Sequence, residues 1–503
     1  MAVIAGVIFY HQISRRELLR YSPVFLPALS GVFLLGLPLL WSPEALWQWN
    51  ALMRVLGITG AFLFFYSLLQ LPLNYRQKRL WAWLLLAASL GQIGLTSMQV
   101  FYSNAIYLLE FNPLRARPHG IFQQPNVLAS FLATGLLLAI WLFTTTRNTA
   151  ASLILIISLL AHSAWLVMIQ SRIGGLGALA GTFALGLLCF RRKLFWLALA
   201  IAFSGAAIAS LGMPEAIAGI DKSGSNVERL LTLKYSLQMI AEHPWLGWGY
   251  GGFEHEFVRY VFSEGMLPPL GLRKMTHPHN ELLLAWVEGG IIALAGMLLL
   301  IVAWFRLIPA PGKTCKRVSA TAFWIMTLPI ALHTMTEYPL YQSAPHIFVL
   351  MVLCRMAAPE QDIQSRGTEQ SYRIAASVLM VAAFSLALFM FSGLQTNAAL
   401  TQTERHQLVD FPQRTARLIN PWAQFKRLEY DRYVSYLLDY NQTGDIKLLQ
   451  AYRPWAENYL RTHNDANTYW SLIRVYQLNG DSRNAALYRA AAQFLFPGDK
   501  RFH

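Results

Sequence analysis

Charge is scarce in this sequence. Only 13% of its 503 residues are Asp, Glu, Lys or Arg, whereas 55% are hydrophobic, and the mean hydropathy is +0.37. A soluble chain of this length would need far more charge to cover its surface, so the composition indicates a polytopic membrane protein. Cysteine is scarcer still. Cys189, Cys315 and Cys354 are scattered, with neither a CxxC pair nor zinc-ligand spacing, so they set no disulfide framework and read as packing residues. Several reaction signatures are missing too: there is no Walker loop, no GxSxG elbow, no HExxH and no DxD-type acidic pair. Any chemistry is therefore expected to run without metal or cofactor, and nothing points to nucleic acid as a partner.

Long apolar runs are what the chain has instead. Runs able to cross a bilayer, which takes about 20 residues each, are read at 22–41, 51–71, 80–100, 126–144, 151–169, 174–190, 194–213, 281–304, 318–334, 343–357 and 374–393. The expected fold is thus all-α, with about 11–12 transmembrane helices. The loops alternate in charge. Arg15, Arg16, Arg20, Arg76, Lys78, Arg79, Arg147, Arg191, Arg192, Lys193, Arg306, Lys313, Lys316, Arg317, Arg355, Arg366 and Arg373 fall on one side, whereas loops 42–50 and 335–342 carry no Lys or Arg. Positive-inside bias puts the first set in the cytoplasm, and loops 101–125 and 214–280 with the tail after 394 on the other side. Met1–Tyr10 is apolar but too short to span. It is read either as the remnant of a span or as an interfacial stub.

Four parts follow: N-terminal spans over 1–213, a large loop over 214–280, C-terminal spans over 281–393 and a small α-helical domain over 394–503. Tail segments 422–439, 447–461, 467–479 and 482–495 have helical apolar spacing, with breakers at Pro421, Gly444, Pro454 and Gly480. Asn467–Leu495 resembles a degenerate tetratricopeptide helix pair. The large loop carries Trp245, Trp248, Tyr250, Phe253, Phe257, Tyr260 and Phe262, enough aromatic surface to lie on the membrane interface or fold over a cavity.

The most informative stretch is His277-Pro278-His279-Asn280-Glu281-Leu282, where the longest polar loop meets the next span. An imidazole at that boundary is a functional candidate, because holding an ionisable group near hydrocarbon is costly without a partner. The same face collects Arg115, Arg117, His119, Arg172, Arg229, Arg259, Arg273 and Glu337. Arg172 lies in a nearly absent loop with no acid near it in sequence, so a lipid diphosphate fits as its partner: guanidinium forks bind phosphate oxygens bidentately. Snorkelling to headgroups is the plainer alternative for Arg172, and a solvated surface for Arg259, Arg273 and Lys274. A zinc site can be drawn from His277, His279, Glu281 and Glu254-His255-Glu256, but no ligand motif supports it. A proton-coupled or lipid-glycan transporter could also use buried His and Arg, yet the paired intramembrane carboxylates and repeats it needs are not seen.

Three blocks carry a family resemblance. Arg117-Pro118-His119-Gly120-Ile121-Phe122-Gln123-Gln124-Pro125-Asn126-Val127-Leu128-Ala129-Ser130 resembles the RPxGxFxQxN signature of a protein-glycosylating branch. Glu228-Arg229 followed by Glu242-His243-Pro244-Trp245-Leu246-Gly247-Trp248-Gly249 resembles the large loop of the O-antigen ligase/polymerase superfamily, and His279-Asn280-Glu281-Leu282 its closing His-Asn element. The chain is most similar to the bacterial inner-membrane O-oligosaccharyltransferases that glycosylate pilins and other periplasmic proteins, which the first block and Glu337-Tyr338-Pro339-Leu340 also resemble. That resemblance implies an oligosaccharide donor on undecaprenyl diphosphate, a Ser or Thr hydroxyl acceptor on a periplasmic protein, and a site facing the periplasm. His279 is then the general base, Arg172 and Arg229 stabilise the departing diphosphate, and Glu337 orients the imidazole if the two span ends meet. Arg117, His119, Asn126, Arg259, Arg273, His277 and Asn280 complete the expected substrate-binding set. An O-antigen ligase acting on lipid A–core, or a polymerase, is the rival reading.

Overall fold

The computed structural model describes residues 1–102, 117–189, 192–212, 224–265, 272–309, 315–365 and 368–503. Arg115, Arg191, Lys313 and Arg366 lie outside the described residues. The fold is all-α, and the chain is a multi-pass membrane protein. Among the described residues, strand pairing is confined to Arg20–Tyr21 against Gln364–Ser365, antiparallel. Eight helices there are long and apolar enough to cross a membrane: Ala45–Leu69, Tyr75–Phe101, Pro125–Thr145, Thr149–Ile169, Arg172–Cys189, Lys193–Leu211, Glu281–Phe305 and Glu369–Arg405. Phe25–Leu40 and Ala344–Ala357 are apolar but shorter. Outward-facing Leu153, Ile157, Leu179, Phe183, Leu187 and Phe203 are exposed, as suits helices whose outer solvent is lipid tails.

Two expected spans take other forms. The 318–334 run breaks at Met326-Thr327 into Cys315–Ile325 and Leu328–His333. The Thr327 hydroxyl accepts from Trp304 Nε1 at 2.8 Å, and Pro329 opens the short second helix. The 374–393 run belongs to a 37-residue helix, Glu369–Arg405, roughly 55 Å long at 1.5 Å per residue. The boundary expected at 394 therefore falls inside a continuous helix.

Pro125–Thr145 is the central post. Every residue from Val127 to Thr144 is buried, and four membrane helices and Leu328–His333 pack around it. Proline at its first position needs no backbone donor there, and the preceding Gln124 is extended. Its two ends mark the two faces of the molecule, roughly 30 Å apart over 21 residues. At the Thr145 end, Arg79 donates to the Thr145 carbonyl and the Thr146 hydroxyl. Lys78 donates to the carbonyls of Met356 and Ala358, and Glu360 joins Arg20 and Arg355. At the Gln124 end lie His279 and Glu337, so the basic loops and the candidate site occupy opposite ends of the bundle.

The loop and the tail share a core. Tyr235, Met239, Phe253, Phe257 and Val261 pack with tail residues Leu449, Tyr452, Leu472 and Ile473, and with Leu284 and Val287 of the membrane helix Glu281–Phe305. The tail forms four helices, Phe425–Thr443, Ile446–Tyr459, Ala466–Leu478 and Ser482–Leu495. Asp445, Asp465 and Asp481 cap the last three, each accepting from a backbone N–H of the first turn. Pro454, expected as a breaker, lies inside its helix. The loop is further pinned at a break in Glu281–Phe305. Gly290 has φ 65° and ψ −161°, a combination essentially confined to glycine. The break lets Ile291 N donate to the Pro244 carbonyl at 3.0 Å, Trp248 N to Val287 and Gly249 N to Glu288.

Candidate active site

The site is built where two span ends meet. Asn280 caps Glu281–Phe305: its Oδ1 accepts from Leu282 N and Leu283 N, and its Nδ2 donates to the Met335 carbonyl at 3.2 Å. Glu281 N donates to the Thr334 carbonyl at 3.2 Å. These bonds tie the His277–Asn280 turn to the segment after Leu328–His333, which carries Glu337. Asn280 is thus a cap and a tether.

Glu337 is the hub. It is 3% exposed, and each carboxylate oxygen has two partners. Oε1 accepts from Asn126 Nδ2 at 2.6 Å and from Arg229 Nη2 at 3.2 Å; Oε2 accepts from Gln124 Nε2 at 2.7 Å and pairs with His333 Nε2 at 3.1 Å. Burial alone would raise its pKa, but His333, Asn126 and Arg229 together hold it below the usual carboxylate value. A carboxylate with its lone-pair positions filled is an electrostatic anchor rather than a proton acceptor.

Behind Glu337 runs a buried relay. His333 Nδ1 lies 2.8 Å from Ser130 Oγ, Ser130 Oγ lies 3.1 Å from His346 Nε2, and His346 Nδ1 lies 2.7 Å from Ser343 Oγ. An ionised Glu337 fixes the proton on His333 Nε2. His333 Nδ1 is then left as an acceptor, facing Ser130 Oγ, which also lies 3.1 Å from the Val127 carbonyl. The network clamps the carboxylate from within the bundle.

His279 stands half-buried beside this anchor. Its backbone is left-handed, with φ 56°, and among the described residues no hydrogen bond joins its ring to Glu337. Burial lowers its pKa, the charge of Glu337 works against that, and Arg229 and His277 add to the lowering. The net effect is a lowered pKa, which favours the neutral imidazole.

The arginines are distributed unevenly. Arg229, on Gly224–Glu242, bonds Glu337 and keeps 40% of its side chain exposed. Arg117 donates to the Ile169 and Gln170 carbonyls at 3.3 and 3.4 Å, at the end of Thr149–Ile169. The next helix starts with an exposed Arg172, and its neighbour Ser171 donates to Asn126 Oδ1 at 2.8 Å. Arg229 thus bonds the Glu337 cluster and Arg117 feels its charge, while Arg172 is joined to it through the neighbouring Ser171 and Asn126. Arg259 and Arg273 do not join it: Arg259 bonds the His255 carbonyl, and buried Arg273 donates to the Phe494 carbonyl and lies over the Phe494 ring. His119 faces the Gly120 carbonyl at 2.9 Å. His277 packs on Tyr338, ring centroids 4.3 Å apart.

Gln124, Ser130 and His333 were not singled out by sequence reasoning. Gln124 and Ser130 lie in the first resemblance block, which was the available signal. His333, four residues before Glu337 at the end of an apolar run, is placed by the break at Thr327.

Comparison with known proteins finds three family models along the chain. Residues 118–143 match the protein glycosylation ligase family, 157–298 the O-antigen ligase family, and 321–503 the C-terminal region of a virulence factor membrane-bound polymerase family. Successive parts of the chain are thus similar to O-antigen ligase and protein glycosylation ligase families. The first match covers Gln124, Asn126 and Ser130, the second Arg172, Arg229, His277 and His279, and the third His333 and Glu337. An O-antigen ligase of Pseudomonas aeruginosa is 34% identical over 190 residues, 37% of this chain and 43% of that relative. The match thus spans less than half of the relative's length.

Proposed function

We propose that this protein is an O-oligosaccharyltransferase of the bacterial inner membrane, facing the periplasm, that moves a glycan from undecaprenyl diphosphate to Ser or Thr of an exported protein. The observation that carries the reading is the half-buried His279 beside an ionised, fully bonded Glu337, with Arg229 bonded to that carboxylate and Arg117 within its field. The acceptor hydroxyl gives its proton to His279 while its oxygen attacks the anomeric carbon. The bond from that carbon to the phosphate oxygen breaks, and the diphosphate leaves with the electron pair. Arg172 and Arg229 receive the growing negative charge, and neither metal nor cofactor enters. Glu337 steadies the imidazolium that forms.

The protein-glycosylation match over 118–143 supports a polypeptide acceptor. A specific observation also supports lipid A–core as acceptor: the 157–298 match and the Pseudomonas relative both carry the name O-antigen ligase. One comparison decides between them, intact masses of exported proteins alongside a lipopolysaccharide gel, with and without the gene. A hexose-containing mass shift on a Ser/Thr-rich protein is expected. A gene-dependent lipopolysaccharide ladder with no shifted protein would make the enzyme a ligase.

A further inference from the structure

His277 is the buried group for which the mechanism has no use. It is 5% exposed. Its Nδ1 accepts from the main-chain N–H of His279 at 2.9 Å, two residues on. This is the bond that Asn and Asp side chains make in Asx-turns, with proline between as the residue that fixes φ. Here it closes over Pro278 and leaves His279 in the left-handed region, which a non-glycine residue adopts only when its surroundings impose it. The other edge of the ring is also held. His277 Nε2 faces Glu281 Oε1 at 3.7 Å, and neither atom has a hydrogen-bond partner among the described residues. Tyr338 covers the ring face, and Tyr338 follows Glu337 directly. One imidazole therefore joins the turn that carries His279 to the segment that carries Glu337.

We propose that His277 is a positioning residue for His279, acting through its Nδ1 lone pair as a buried substitute for an Asx side chain. The role rests on His279 being the base of the proposed transfer. It requires a neutral ring, because a proton on Nδ1 would abolish the acceptor. Burial, with Arg54 adding to it against Glu288 and Glu337, pushes the His277 pKa down to about 3, so the ring stays neutral over the physiological range. Glu281 and Tyr338 are the other groups facing it.

The two ring nitrogens can be tested separately. Asparagine places an oxygen near the position of Nδ1, whereas glutamine places its amide near Nε2. In the full-length protein, His277→Asn is expected to keep kcat close to wild type. His277→Gln and His277→Ala should lower kcat on the order of 10- to 100-fold, with the KM for the lipid-linked donor little changed, because a small displacement of a base costs that much. A second readout does not depend on transfer: carbethoxylation of His279 by diethyl pyrocarbonate, followed by mass spectrometry. Its rate should match wild type in His277→Asn and rise in the other two as the turn loosens. Monodisperse elution of each detergent-solubilised variant serves as the folding control, and the glutamine variant decides the matter if alanine does not fold. Wild-type behaviour in His277→Gln with loss in His277→Asn would make Nε2 the working atom and overturn the proposal. Equal loss in all three variants, or no change in any, would overturn it too. If the wild-type protein transfers glycan to neither acceptor, the functional reading fails, and the carbethoxylation order alone decides the turn.

Discussion

His279 and Glu337 are 58 residues apart in sequence, and their electrostatic coupling yields a signed prediction. In the proposed transfer the neutral imidazole is the active form, so kcat/KM should fall as pH drops through the His279 pKa. Burial lowers that pKa, and Glu337 opposes the lowering. Glu337→Gln should therefore move the acid limb of the profile to lower pH and weaken the base, reducing kcat at neutral pH about 10- to 100-fold. Arg229 has the opposite sign, since its charge disfavours the imidazolium. Arg229→Ala should move the limb to higher pH, while kcat falls through loss of diphosphate stabilisation. A pH series of initial rates for the two variants tests this, and shifts in the same direction would refute the coupling. His279→Ala should lower transfer by roughly 10²–10⁴-fold without loss of membrane expression. His279 and Glu337 were legible in the sequence as polar residues at span ends, and Arg229 through the resemblance of its block in the large loop. His333 was not, because one His in an apolar run gives no sign that a break will aim it at a carboxylate.

At the scale of elements, the spans were read from hydropathy, which counts apolar residues and does not report where a helix is interrupted. The 281–304 run reads as one continuous span, yet Gly290 breaks it and exposes main-chain groups that dock the Pro244–Gly249 turn. A Cβ at Gly290 would lie 2.1 Å from the Trp245 carbonyl oxygen, and one at Gly247 would lie 2.5 Å from the Glu288 carbonyl. Neither approach can be relieved by a side-chain rotation, since both partners are backbone. Gly290→Ala should therefore destabilise the protein by about 1–3 kcal/mol from the backbone conformation alone, before any displacement of the loop. The expected signs are a lower midpoint of thermal unfolding in detergent and faster proteolysis between Pro244 and Phe253. An unchanged midpoint would mean that the break is not needed to seat the loop. The Gly289-Gly290 pair was visible in the sequence, but as two small residues in a span.

At the scale of the whole molecule, the all-α membrane body and the four tail helices were legible because apolar length and helical spacing are local properties. The shared core of loop and tail was not, since it gathers Tyr235 and Phe257 of the loop with Tyr452 and Leu472 of the tail, and no local pattern carries such a long-range association. That core changes what a truncation should do. Besides the shared apolar surface, Trp47 Nε1 donates to the Arg461 carbonyl at 3.1 Å, and Asn464 N donates to Glu254 at 3.0 Å. Removing residues 406–503 should therefore abolish transfer to protein and to lipid A–core alike, by exposing the buried side of the loop, instead of selectively impairing a protein acceptor. Sidedness permits a gentler test that leaves the core intact. Exposed Gln442 lies in the tail, on the side of His279, and exposed Arg147 lies just past the far end of the central helix. The helix between these faces spans roughly 30 Å, the thickness of the hydrocarbon layer. In a background lacking Cys189, Cys315 and Cys354, Gln442→Cys should react with an impermeant thiol reagent in intact spheroplasts, and Arg147→Cys only after the membrane is opened. Labelling of Arg147→Cys in intact cells would invert the protein and put His279 on the cytoplasmic face, where a periplasmic acceptor hydroxyl could not reach it.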